Sequence, residues 1–465
     1  MKSTRKLLAI LVIAVFALTL LAGCGPPAPP SPPAPPAATP AQTGTTPTTP
    51  GETPTQEVVG TPDEPIVVTF MNWGTIEEAS QDHLLAVIAA FEAENPGIII
   101  DNQPVGVSDI VREVTIRSIA GNPPDVAQLH GDNVGQMHAA GFLQPVGPLL
   151  SQEFMDDLFP VLFDVIGLID GQHYAVPWAN STHGLFYNRI LMEQAGLDPN
   201  RPPRNIEEMT QMMIQARERL PADVHILQAD TSVRTIGLSQ QWPIMLAFMN
   251  GVQPYTLCGQ ANMTHPGMIE YLEWMRMLVN EGITTEGLFM GMFRPFAAQN
   301  NLLFANDWTT FDGIVRSMND ELTREIMFET WGATHLPAGS DGIARTNVNA
   351  HVLTIFRDSQ VSEAAGRFVE FLVNSEVAVQ QYIAQMGFTP VTASAFDKAP
   401  ELNDNEFIRA FVSDVMPTSV PMPTGPDFGE FATIVMTAVQ EAVTTDRDII
   451  AIAEDAQRRL EMLFN

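Results

Sequence analysis

The chain has 465 residues, 45% of them hydrophobic, which is enough for more than one packed body. Its formal net charge of −31, from 23 Lys and Arg against 54 Asp and Glu, argues against nucleic acid or an anionic lipid surface as partner. That charge does not select a cationic ligand, because most of the carboxylates are expected on solvated surface.

Residues 1–23 read as a secretory signal: Lys2, Arg5 and Lys6 precede an unbroken apolar run at 7–20, and small residues follow. A run of about fourteen residues is short for a membrane span, which remains the alternative. Leu21-Ala22-Gly23-Cys24 resembles a bacterial lipobox, which implies cleavage before Cys24 and lipidation of its thiol. Several acyl chains on one residue, palmitate among them, anchor a protein stably where one chain does not. Cys258 is then the one remaining cysteine, so the mature chain forms no internal disulfide. Residues 24–64 comprise this cysteine and a stretch dense in Pro, Thr and Ala. With almost no large apolar side chains it reads as a disordered tether, on the order of 100 Å long at about 3.1 Å per residue.

Residues 66–73 (IVVTFMNW) predict a strand, 80–95 an amphipathic helix with Leu84, Leu85, Ile88 and Phe91 on one face, and 97–102 (GIIIDN) a second strand. Strand, helix and strand within about forty residues indicate a parallel crossover unit. Residues 125–129 (DVAQL) predict a buried strand whose C-terminal end carries His130, Asp132 and Asn133. In open α/β sheets that end faces the ligand crevice; a solvated loop histidine is the alternative for His130.

The stretch that organises the rest is 171–197, GQHYAVPWANSTHGLFYNRILMEQAGL. Trp178 is followed by the small polar residues Asn180, Ser181 and Thr182. Leu185, Phe186, Ile190, Leu191 and Met192 then predict a helix that Gly196 stops. An aromatic beside convergent amides and hydroxyls suits a small-molecule pocket; a buried Trp with ordinary turn polars is the alternative. Further along, Asn205 is the expected cap of a helix over 206–220, with Glu207 and Glu208 in its first turn. The surroundings of Trp242 look apolar and irregular, 266–281 reads as a helix, and 302–316 (LLFANDWTTFDGIVR) as strand, turn and helix with Asn306, Asp307 and Trp308 at the helix start. The segment 429–463 reads as one long helical tail.

The pattern GQHYAVPW with LFYNRILMEQAGLDP resembles the sugar-type extracellular solute-binding proteins of bacterial ABC importers. FEAENPGI, GNPPDVAQLHGDNVGQMHAAGFLQPV, LLFANDWTTFDGIVR and the region from NVNAHVLTIF through GFTPV match the same family in the same order. The resemblance implies an α/β, two-lobed periplasmic-binding-protein fold of type II, each lobe a mainly parallel sheet flanked by helices, with a hinge between. Lobe one is expected at 65–179 and 335–383, lobe two at 180–334 and 384–465, with the linking strands near Asn180 and Leu336. It also implies a cleft in which Trp73, Trp178, Trp242 and Trp308 supply aromatic platforms. His130, Asp132, Asn133, Asn180, Ser181, Asp307 and Asn349 would supply polar contacts. A core position is the alternative for Trp242, and Asn349 and Ala350 stand where the family usually has glycines.

No HExxH, Walker A, GxSxG or CxxC motif occurs, so no enzyme, cofactor or metal is expected. The expected function is capture of a mono- or oligosaccharide by a monomeric lipoprotein, outside the cytoplasmic membrane, for delivery to ABC permease subunits. Glycerol-3-phosphate binders match the stretch 171–197 well, with Ser181 at the family's pocket serine. Against them, Phe388 replaces a tyrosine, and the family's late phosphate-pairing arginine has no match in 421–430. A peptide or polyamine binder, and a surface adhesion lipoprotein without a pocket, are the other readings.

Overall fold

Two β-sheets, each with a hydrophobic core of its own, organise the chain. The computed structural model describes residues 60–463 except 79, 108, 181, 256–259, 349, 421 and 423–426. The expected signal, Cys24, Cys258, Ser181 and Asn349 therefore lie outside the described residues. Apart from a small hairpin of Leu168–Ile169 with Gln172–His173, the strands in chain order are β1 (Ile66–Asn72), β2 (Ile98–Pro104), β3 (Val126–His130), β4 (Val176–Ala179), β5 (His183–Asn188), β6 (His225–Gln228), β7 (Leu302–Trp308), β8 (Trp331–Thr334), β9 (Thr346–Asn347), β10 (His351–Ile355) and β11 (Ser419–Val420). One sheet runs β2-β1-β3-β10-β4 and the other β8-β5-β7-β6; β9 pairs with β11 alone.

The first sheet begins as expected, with β1 parallel to β2 from Ile66↔Ile98 to Asn72↔Pro104, and parallel to β3. It reverses at β10, which is antiparallel to both β3 and β4. The second sheet is antiparallel at β8–β5 and β5–β7 and parallel only at β6–β7. Parallel pairing gives way where strands arrive from the other body rather than by a crossover helix.

The helix Gln81–Glu94 buries Leu84, Val87, Ile88 and Phe91, while Leu85 is exposed. Positions 84, 87, 88 and 91 share one helical face and 85 points about 100° away. The expected tether also ends earlier than 64. Thr61 and Glu64 exchange backbone hydrogen bonds of 3.1 Å, and Ile66 N–H donates to Gly97 O at 2.9 Å. An added Cβ at Gly97 would sit 2.0 Å from Gly60 O, so the two backbones meet where only glycine fits.

Residues 183–188 are strand, not helix: all six are buried between β8 and β7, and the helix is confined to Arg189–Gln194, with Gly196 beyond it at φ 67°. A short, continuously apolar run carries no period that separates the two structures. Around Trp242 the correction is the reverse, since Thr235–Phe248 is a helix with Pro243 inside it. Buried all round, it shows no amphipathic stripe. The tail is two helices, Phe428–Thr444 and Ile449–Leu463. Asn205 caps Ile206–Arg219 as expected: its Oδ1 accepts from Glu208 N–H at 2.8 Å, and Glu208 accepts from Arg204 N–H at 2.9 Å.

The first core includes Phe70, Phe91, Trp178, Phe368 and Tyr382; the second includes Trp242, Tyr271, Phe304 and Phe431. Burial of each such aromatic contributes at least about 1.5–3 kcal/mol. Leu336 packs in the second core, whereas Phe388 and Val391 pack in the first. The return to the first body therefore falls between β9 and β10 instead of at 335, and Phe388 and Val391 lie with the first body. Bridges Thr182↔Val348 and Asn180↔Thr389 hold the crossing segments side by side.

Candidate functional site

The ends of β1, β3 and β7 and the starts of β5 and β10 meet at this crossing. On the first body Trp73 follows β1 and stacks on His130, at the end of β3, with centroids 4.9 Å apart and planes 27° apart. His351, paired with His130 in register, lies edge-on to Trp73 at 5.0 Å and to His130 at 5.3 Å, and Phe388 lies 5.2 Å from His351. Gln128 ties the group together. Its Oε1 accepts from the backbone N–H of Trp73 and of Gly74, each at 3.2 Å, and its Nε2 donates to His351 Nδ1 at 3.2 Å. Burial, then the neighbouring His130, holds His351 well below the ordinary imidazole range, so it is neutral. Asp132 and Asn133 lie half-buried in the 3-10 turn that follows His130. Burial pushes the Asp132 carboxyl up, and its Oδ1 has no partner among the described residues.

On the second body Trp308 ends β7, opposite His183 at the start of β5, with ring centroids 5.2 Å apart. Beneath it lies an ion pair. Arg294 donates to Asp307 Oδ1 at 2.8 Å and Oδ2 at 3.1 Å, and Gln228 Nε2 donates to Oδ2 at 3.0 Å. The Arg294 guanidinium stands 5.9 Å from the Trp308 ring. Asn306, Asp307 and Trp308 thus belong to the strand, and the next helix begins only at Phe311. His183 Nδ1 is 2.8 Å from Asn347 Oδ1, and burial pushes its imidazole down to about 4. Next to it an added Cβ at Gly184 would lie 2.5 Å from the Phe411 ring, so glycine lets that ring close the crossing from behind.

The two sides join in a closed circuit of neighbours. Asn180 O accepts from Thr389 N–H at 3.1 Å; Gly387, two residues earlier, lies against Thr309; Thr309 follows Trp308; and Trp308 faces His183. Five polar atoms on this circuit are buried with no partner among the described residues: Asn180 Oδ1, His183 Nε2, Trp308 Nε1, Thr309 Oγ1 and Thr389 Oγ1. Buried polar atoms are almost always paired, so this cluster of exceptions makes the crossing a candidate place for hydrogen-bonding guests.

Of the expected site residues, His130, Asp132, Asn133, Asn180, Asp307 and Trp308 come to the crossing, and Trp73 backs His130 there from within the first body, 2% exposed beside Met71, Ala127 and Leu129. Asp307 does so as the anchor of Arg294, with its carboxylate already engaged. Trp178 and Trp242 do not. Trp178 donates its Nε1–H to Leu372 O at 2.9 Å and stacks on Tyr382 at 4.8 Å, inside the first core. Trp242 is 0% exposed in the second core, edge-on to Phe431 at 6.1 Å. Sequence reading missed Gln128, His183, Arg294, Thr309, His351 and Thr389. His183 was findable, because reading 183–188 as a strand puts its first residue at the crossing. Arg294 was not, since only tertiary packing brings its helix to Asp307.

Among the described residues no helix is long and apolar enough to cross a membrane, and no group of three His, Cys, Asp or Glu is placed to hold a metal.

The family model for bacterial extracellular solute-binding proteins matches residues 86–409. A maltotriose-binding protein of Pyrococcus abyssi is 21% identical over 383 residues, which are 78% of this chain and 75% of that one. Among solved structures, an ABC transporter solute-binding protein of Thermotoga lettingae bound with alpha-D-tagatose superposes with a TM-score of 0.73 at 18% identity, over 86% of this chain and 100% of that one. Maltose-bound T. maritima MalE3 gives 0.72 at 19%, over 86% and 100%. These likenesses fix the fold as the two-lobed one of binding proteins. The family match extends over more than half of the sequence, and this chain belongs to the bacterial extracellular solute-binding proteins.

Proposed function

We propose that the protein captures a mono- or oligosaccharide between its two bodies and delivers it to the permease of an ABC importer. The observation that carries this reading is the circuit of five buried polar atoms, one of them on Trp308, that have no partner among the described residues. Sugars offer hydroxyls to such atoms and C–H faces to aromatic rings. Arg294 is committed to Asp307, which disfavours a phosphorylated ligand. The sugar ligands named for the similar proteins support the same class. The crossing residues Asn180, Thr182 and Val348, bridged as described, would serve as the hinge about which the bodies close. The lipobox-like Leu21-Ala22-Gly23-Cys24 and the Pro-rich stretch after it would anchor the protein, as a monomer, on the outer face of the membrane.

The test is calorimetric titration of the purified protein with maltose, maltotriose and D-tagatose, with glycerol 3-phosphate and spermidine as contrasts. Binding of a sugar, with a stability gain of about 2.7 kcal/mol at a hundredfold excess over Kd, is expected. Binding of spermidine or glycerol 3-phosphate with no sugar response would overturn the reading.

A further inference from the structure

We propose that His183 is a specificity-determining residue of the cleft, presenting a bare Nε2 lone pair that accepts a hydrogen bond from a ligand hydroxyl. The inference rests on the carbohydrate reading above and adds to it which face of the ligand is recognised and how. The argument begins at Asn347. Its Nδ2 lies 3.2 Å from Met422 Sδ and its Oδ1 2.8 Å from His183 Nδ1. A thioether can only accept, so the amide nitrogen belongs on the sulfur side and the amide oxygen faces the imidazole. An amide oxygen also only accepts, so the imidazole proton resides on Nδ1. A neutral imidazole carries one proton, and Nε2 is left as an acceptor.

The ring has little freedom to change this assignment. Trp308 covers it at 5.2 Å, and Thr346 Oγ1 donates to the His183 backbone oxygen at 2.6 Å. Strand β9, which carries Thr346 and Asn347, is itself paired with β11. Nε2 is buried with no partner among the described residues, and Asn180 Oδ1, a second buried acceptor, is in the same position three residues away. An ether, carboxylate or phosphate oxygen placed at Nε2 would set lone pair against lone pair, whereas a hydroxyl completes the bond. The site therefore reads one free O–H of its ligand and rejects the same sugar when that oxygen is methylated.

The experiment combines two readouts on the whole protein. Long-range proton–nitrogen NMR of histidine-labelled protein at pH 7 is expected to show His183 with a protonated Nδ1 and a bare Nε2, the Nε2 resonance moving on addition of maltose, maltotriose or D-tagatose. Titration with mono-O-methyl derivatives of the sugar that binds is expected to show one position costing about tenfold or more in affinity, a penalty abolished in His183→Ala. A merely structural role would weaken every derivative alike. A protonated Nε2, or a sugar that binds with the Nε2 resonance unmoved and the same methylation penalties in His183→Ala, would overturn the inference and leave the carbohydrate reading standing; a buried water satisfying Nε2 gives that second result. Failure of every sugar to bind removes the carbohydrate reading, and this inference with it.

Discussion

Each body offers the cleft a tryptophan beside an imidazole, but the two pairs are held by different forces. Trp73 and His351 are fixed by Gln128 through neutral hydrogen bonds to two backbone N–H groups and a ring nitrogen. Trp308 and His183 stand over a buried ion pair, Arg294 with Asp307, and carry two ring nitrogens with no partner among the described residues. Loss of one member of a neutral network leaves buried groups unsatisfied at about 1–3 kcal/mol, whereas half of a buried ion pair is an uncompensated charge at about 3–5 kcal/mol. The first wall is thus a neutral aromatic group, and the second is where, under the proposed reading, stability and ligand selectivity would be coupled.

The largest effect expected from this contrast is at Asp307. Asp307→Ala strands the Arg294 guanidinium and is expected to destabilise the protein by about 3–5 kcal/mol in urea unfolding. The pair replaced together, as Arg294→Met with Asp307→Leu, is expected to recover most of that loss. Equal loss in both variants would show that the pair is not what holds the second wall.

Next in size is a pH effect. His183 titrates at about 4 in the folded protein against an ordinary 6.5, chiefly through burial, with Asp307 raising and Arg294 lowering it. The unfolded chain binds that proton first, so the stability tied to a neutral His183 is intact above about 6.5. It is lost as pH falls toward about 4, amounting to about 3 kcal/mol. Asp132 and Asp230, whose carboxyls burial pushes up, act in the opposite sense. The His183 share is therefore read as wild type minus His183→Asn, from urea midpoints between pH 7 and 4.5. An unchanged slope in the variant would contradict it.

The smallest effect is a control. Trp178→Phe removes the hydrogen bond to Leu372 and is expected to cost about 1 kcal/mol of stability with sugar affinity unchanged.

The crossover unit at 66–104, the Asn205 cap and the residues closing β1 and β3 were legible in the sequence, because each rests on local pattern: β-branched runs, helical spacing and cap chemistry. Residues 183–188 were misread because six consecutive buried positions have no periodicity. Trp178 looked like a platform because its polar neighbours are in the cleft, yet a strand alternates its faces, and this indole points into the first core. Arg294 and the Gln128 network depend on contacts 13 and 223 residues apart, which no local signal records.

The measurement that bears most directly on capture between the two bodies is calorimetric titration of the binding sugar against wild type, Trp73→Leu and Trp308→Leu, each shown to be folded by its melting transition. Both substitutions are expected to weaken binding, by roughly tenfold each, Trp308→Leu by removing the ring beside the unpartnered atoms and Trp73→Leu by withdrawing the buried ring that backs His130 and His351. Loss at one tryptophan with full affinity at the other would place the ligand on a single body and contradict capture between them.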